Sequence, residues 1–131
     1  MTLKLKPKGE RKMGLTRVAV ELRKPGSKEA LSQTLLVDTG ATDSMISTSV
    51  LRRLGILPID KRTYELATGE LQDFEVGYAE MSFMDDTIQT RVIFGPDNTE
   101  PILGAIALEL AGLMVDPSNE ALRKIPGHPF K

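Results

Sequence analysis

The stretch LSQTLLVDTGATDSMIS, residues 31–47, holds the residues best placed to do chemistry. The wholly apolar run Leu35-Leu36-Val37 has strand character, and it ends abruptly in Asp38-Thr39-Gly40-Ala41-Thr42. A buried strand that delivers a carboxylate into a tight loop is costly. The ionised group loses several kcal/mol of hydration unless it is paired, hydrogen-bonded or protonated. Such a group is kept where chemistry uses it. Thr39 offers a hydroxyl for orientation, and Gly40 lets a backbone or a ligand come close. The plain alternative is a strand followed by an Asx turn.

Three chemistries suit an Asp at that place. A metal site needs partners, and Asp43, Asp85, Asp86, Asp97 and Asp116 are available. None sits in calcium-loop or His-Glu-His spacing, so neither metal nor cofactor is expected. A phosphate loop is the second: Asp38, Gly40 and Thr42 match the loose Asp-x-Gly-x-Thr pattern of actin-like and sugar-kinase ATPases. Those folds close two sizeable α/β lobes on a nucleotide, which 131 residues cannot supply. The third is an acid–base pair. Two carboxyls about 3 Å apart cannot both ionise readily, so they share a proton and act as acid and base towards one water. Only one Asp-Thr-Gly occurs in the chain. A two-fold axis beside Asp38 would bring its own copy opposite.

Composition narrows the class. The length fits one domain with its own core, and 40% hydrophobic with 27% charged residues is ordinary for a globular protein. The net charge of −1 argues against a dedicated nucleic-acid binder. Lys4, Lys6, Lys8, Arg11 and Lys12 against Glu10 give the first twelve residues a charge of +4. That basic segment, 1–13, is expected to be solvated and mobile; a docking arm or a segment removed by processing is the other reading. Without cysteine there is no disulfide, thiol nucleophile or Cys-type zinc site, which fits a reducing cytoplasm. The lysine-rich start lacks the apolar run of a signal peptide, and no stretch approaches the ~20 apolar residues of a membrane span. The single histidine, His128, lies in a Pro-Gly-His-Pro tail, so Ser–His or Cys–His catalysis is a poor fit.

The elements that must position Asp38 follow from patterning. Leu15–Leu22 alternates, with Val18, Val20 and Leu22 on one side, and Pro25-Gly26-Ser27-Lys28 turns the chain back towards Leu31–Val37. Ser47 or Thr48 caps a short helix carrying Val50, Leu51 and Leu54, which Gly55 stops. Arg62–Leu66 reads as a strand and Ala67-Thr68-Gly69-Glu70 as its hairpin turn. The return arm Leu71–Phe83 changes phase beside Gly77, which predicts a β-bulge or a sharp bend. Asp85-Asp86 is a turn, and Ile88–Phe94 a strand with Ile88, Val92 and Phe94 inward. Gly95-Pro96-Asp97-Asn98 turns again. Pro101-Ile102-Leu103-Gly104 is a strand end leading into helix 105–111, whose Ile106, Ala107 and Leu110 share a face with Leu103, and Gly112 ends it. Leu113–Val115 is a last short strand. Short strands, frequent turns and two small helices predict a compact, mostly β barrel or sandwich over residues 14–117, followed by a tail at 118–131.

The sequence LLVDTGATDSMIS closely resembles the catalytic loop of the retropepsin-like aspartic proteases, the single-lobed dimeric relatives of pepsin. The likeness extends to the hairpin around Ala67–Glu70, where the family carries a flap. It extends also to Ile102-Leu103-Gly104 with helix 105–111, where the family has an apolar-apolar-Gly motif before a helix. Order and spacing agree over roughly residues 14–117. The helix at 48–54 and the ending Gly112–Pro117 look most like small prokaryotic members.

The resemblance implies an all-β acid-protease barrel and a homodimeric aspartic endopeptidase acting on extended peptide or protein. It implies that Asp38 of each subunit forms the water-activating dyad, with an acid-side optimum because one proton is shared. Thr39 would hydrogen-bond across the dimer axis, Gly40 would lend its backbone to the substrate, and Ala41 belongs to the same supporting loop. Asp43 would help bind substrate main chain. Ala67, Thr68 and Gly69 would sit at the flap tip, closing over the peptide. Glu70 departs from the glycine-rich, uncharged flap tips of retroviral members, and Thr42 stands where those carry Asp. The rival reading from another class is a domain of this fold that binds peptides or assembles partners without cutting them.

Overall fold

The computed structural model describes residues 16–116 and 121–125. The basic segment 1–13 and, in the tail, His128 lie outside them.

Strand β1 (Arg17–Arg23) buries Val20 and Leu22 and turns Arg17, Ala19 and Glu21 outward, as its alternation predicts. The chain reverses at Pro25-Gly26, where Gly26 takes φ +84° and the Ser27 amide donates to the Lys24 carbonyl at 2.9 Å. Strand β2 (Ala30–Val37) then pairs antiparallel with β1, Arg17 opposite Leu36. Next come β3 (Ser44–Ser47), helix α1 (Thr48–Arg53), β4 (Asp60–Glu65), β5 (Leu71–Phe83), β6 (Asp86–Gly95), β7 (Ile102–Leu103), helix α2 (Ala105–Leu110), β8 (Leu113–Asp116) and β9 (Ala121–Lys124).

Seven strands form one sheet in the order β1-β2-β7-β3-β6-β5-β4, and β5 also pairs with β1. That extra pairing, Glu21–Arg23 against Glu80–Ser82, closes β1, β2, β7, β3, β6 and β5 into a ring. Closure satisfies edges that an open sheet would leave bare. The expected barrel is therefore present, with β4 hanging from β5 as a hairpin. Parallel pairs occur where β2 meets β7 and β3 meets β6. Ser47 caps α1 by accepting from the Val50 amide, and Gly55 follows at φ +80°, both as the sequence suggests.

The phase change in β5 has another cause than a bulge. Its register with β6 runs unbroken from Val76–Ile93 to Phe83–Asp86. The strand instead passes between two apolar clusters on opposite faces of the sheet. Ala79, Met81 and Phe83 face the main core, with Val20, Leu22, Leu35, Ile46 and Leu103. Phe74 and Val76 face a smaller core with Ala41, Met45, Tyr64, Ile93 and Ile102. At the crossover Gly77 is buried, and a Cβ there would meet the Leu57 carbonyl oxygen at 2.9 Å.

Two further differences are local. In α2 the buried residues are Ala107 and Leu108, while Leu110 is 55% exposed, because the face turned to the core is that of Ala107, Leu108 and Ala111 and Leu110 stands off it. Strand pairing also runs past residue 117: β9 pairs with β8, and Leu122 packs on the main core.

Candidate active site

Asp38 is held at the end of a strand that is paired to its last residue. The Leu36 amide donates to the Pro101 carbonyl at 2.9 Å, and the Asp38 amide to the Leu103 carbonyl at 3.0 Å. The Asp38 side chain then turns back on its own loop: Oδ1 accepts the Gly40 amide at 3.0 Å, and the Ala41 amide donates to the Asp38 carbonyl at 3.1 Å. The Asx turn is thus real, but it uses one carboxylate oxygen. Asp38 is 4% exposed, and its buried Oδ2 is reached by no hydrogen-bond donor among the described residues. Thr39 and Gly40 are exposed beside it, and Ala41 is fully buried as the anchor of the loop.

The rest of the loop is seated on the start of α2. The Ala105 amide donates to the Ala41 carbonyl at 2.8 Å, and the Ile106 amide to the Thr42 carbonyl at 3.1 Å. Ser44 Oγ accepts the Gly104 amide at 3.0 Å in a buried setting. The apolar-apolar-Gly motif is therefore the surface on which the Asp38 loop lies. Leu103 of the motif supplies an acceptor to Asp38, and Ala105 and Ile106, which follow it, supply donors to Ala41 and Thr42.

The hairpin turn has the shape its residues dictate. Gly69 takes φ +92°, the Gly69 amide donates to the Leu66 carbonyl, and the Leu66 amide donates to the Glu70 carbonyl, each at 2.8 Å. Ala67, Thr68, Gly69 and Glu70 are all exposed. Asp38, Thr39, Gly40, Ala41 and Asp43 thus share one loop, while Ala67, Thr68 and Gly69 form a separate hairpin end.

Asp43 takes a place different from the expected one. Its side chain is wholly buried, and Oδ2 accepts both the Tyr64 hydroxyl at 2.8 Å and the Arg91 Nε–H at 3.1 Å. The carboxylate therefore presents no surface to a substrate main chain; it ties the loop to β4 and β6. Burial, then the hydrogen bond and charge of Asp43, push the Tyr64 hydroxyl well above its ordinary pKa. For Arg91, burial works to lower the pKa, but the Asp43 hydrogen bond and charge outweigh it and the net shift is upward. Both partners therefore stay protonated and donating. Neither Tyr64 nor Arg91 was signalled by the sequence. Tyr64 lies in the polar run Asp60–Glu65, and Arg91 has the outward parity of its strand.

A closed β barrel with Asp-Thr-Gly on a loop seated against an apolar-apolar-Gly turn defines the retropepsin-like aspartic proteases. A family model described as gag-polyprotein putative aspartyl protease matches residues 28–109, and the chain belongs to that family. No curated protein sequence matches it. Among solved structures it is similar to EIAV protease complexed with the inhibitor HBY-793, with TM-score 0.57 and 18% identity over 82% of this chain and 95% of that one. It is also similar to the solution structure of simian foamy virus (mac) protease, with TM-score 0.53 and 14% identity over 72% and 92%. A foamy viral protease-reverse transcriptase in complex with an RNA/DNA hybrid matches with TM-score 0.56 and 17% identity over 73% of this chain. The match spans 12% of that longer protein. At these identities the likeness is one of fold.

Proposed function

We propose that the chain is a homodimeric aspartic endopeptidase whose reaction centre is built from two copies of Asp38. The observation that carries this reading is the Asp38 carboxylate, 4% exposed, with Oδ1 in use and Oδ2 buried without a donor. A buried oxygen left unpaired costs about 1–3 kcal/mol. A second carboxyl across a two-fold axis, sharing one proton and a water, relieves that cost. One carboxylate takes a proton from the water as its oxygen attacks the scissile carbonyl carbon. The other carboxyl protonates the carbonyl oxygen, and the C–N bond then breaks with a proton delivered to the leaving amine.

The exposed Thr39 hydrogen-bonds across the axis, and the exposed Gly40 offers its backbone to the substrate strand. The 67–70 turn closes over an extended peptide, which excludes water and strengthens the electrostatics at the dyad. Leu71, 71% exposed beside that turn, supplies apolar surface for the contact. A cytoplasmic location belongs to the same proposal and rests on the cysteine-free composition.

The test compares the wild type with Asp38→Asn on a broad peptide library, with solution mass measured by sedimentation. The wild type is expected to be dimeric, to cut, and to bind a statine-type inhibitor that mimics the tetrahedral intermediate. The variant keeps mass and fold and loses all cleavage. Equal cutting by both proteins, or cleavage by a strict monomer, overturns the assignment. Peptide bound but never cut by the wild type makes it a binding domain instead.

A further inference from the structure

The Asp38 loop and the hairpin are separate elements, yet a buried polar cluster joins them. Tyr64 is on β4, two residues before the Leu66 amide that closes the hairpin turn, and opposite Gln72 on β5. Its ring is fully buried and meets Phe74 edge-on, with centroids 6.0 Å apart. Its hydroxyl reaches across to Asp43, five residues beyond Asp38. The same Asp43 oxygen takes the Nε–H of Arg91, whose residue pairs with Tyr78 in the β5–β6 ladder. One carboxylate oxygen thus receives a donor from the hairpin and another from the barrel wall.

Asp38 itself is held by a different set of bonds, the backbone contacts with Leu103 and with Gly40. The bonds that seat Asp38 therefore do not run through the Tyr64 hydroxyl, although Asp43 belongs to the same loop.

We propose that Asp43, Tyr64 and Arg91 are positioning residues that clamp the root of the hairpin to the catalytic loop. The movable part of the hairpin is then the segment beyond Tyr64, residues 65–71, with its exposed turn. The clamp sets where this segment closes and therefore how tightly an extended substrate is held. This function of the cluster rests on the protease reading above; the geometry of the clamp does not.

Tyr64→Phe removes the hydroxyl and keeps the ring. KM for a peptide substrate is expected to rise about tenfold, the scale of one hydrogen bond to a charged acceptor, with kcat within about twofold. Amide hydrogen exchange is the second readout. The Leu66 and Gly69 amides, which bond within the hairpin turn, should exchange about tenfold faster. A purely structural loss of stability would instead speed the slow amides of β6 and leave the hairpin amides and KM unchanged; that result overturns the clamp. Asp43→Asn keeps the shape with a neutral, weaker acceptor and also breaks the ion pair with Arg91, and should shift both readouts in the same direction. It serves if the Phe variant does not fold, and unchanged hairpin exchange in whichever variant folds also overturns the proposal. If the wild type cuts no peptide, the protease reading fails, while the exchange measurement still decides the clamp.

Discussion

Gly104 leaves no room for a side chain above Asp43: a Cβ on Gly104 would lie 2.7 Å from the Asp43 carbonyl carbon and oxygen, and 2.9 Å from the Thr42 oxygen. The backbone of Gly104 is ordinary, with φ −90° and ψ 176°, so the demand is for space and not for a left-handed conformation. The obstructing atoms are backbone atoms of the loop that carries Asp38. They cannot move aside without dragging that loop from its seat.

Gly104→Ala is therefore expected to destabilise the fold by about 1–3 kcal/mol, the usual cost of overpacking. Gly95 is the control. A Cβ there meets the Met45 Cγ at 2.6 Å and Sδ at 2.8 Å, the flexible part of an adaptable side chain. Gly95→Ala should lose less, because the obstructing atoms belong to a side chain and not to backbone. Urea unfolding of the two variants checks the order. Equal losses would mean that the seat under Asp43 is looser than its distances say.

The buried tyrosine gives stability a pH dependence of known sign. The folded state raises the Tyr64 pKa above its ordinary value of 10.0, so the fold binds that proton more tightly than the unfolded chain does. The contribution is complete below pH about 10 and fades as pH rises beyond it. Tyr64 is one of two tyrosines. In a Tyr78→Phe background, phenolate absorbance should emerge only as far-UV circular dichroism is lost. A reversible titration with an ordinary midpoint in an intact fold would contradict the burial of the hydroxyl.

Glu70 carries an exposed negative charge on the hairpin turn. Under the protease reading it faces the substrate and disfavours acidic side chains. Glu70→Gln should raise kcat/KM for acidic peptides over neutral ones by about two- to fivefold at low salt, the size of one exposed charge interaction. Added salt should shrink the difference. An identical preference profile for wild type and variant at low ionic strength would remove Glu70 from the substrate path.

Much of this molecule was legible because it is decided over short distances along the chain. The Val18-Val20-Leu22 alternation, the turn at Gly26, the Ser47 cap and the turn at Gly69 each follow from the backbone preferences of a few adjacent residues. The elements without a local signal depend on partners. Ser44–Ser47 is four residues without alternation, buried on both faces at Met45 and Ile46, and is a strand only because β6 and β7 flank it. β9 exists only against β8. The phase change beside Gly77 was visible, but whether it meant a bulge or a passage between two cores depended on what packs on each face.

By itself the sequence determined that a carboxylate stands at the end of a buried strand in a glycine loop, since the apolar run and the turn residues are contiguous. Only the tertiary structure decided that one oxygen of Asp43 takes both Tyr64 and Arg91, partners 21 and 48 residues away. The reason is physical. Which side chain meets a buried carboxylate is fixed by strand register and by which face of a closed barrel is covered, and neither leaves a mark in any short stretch of chain.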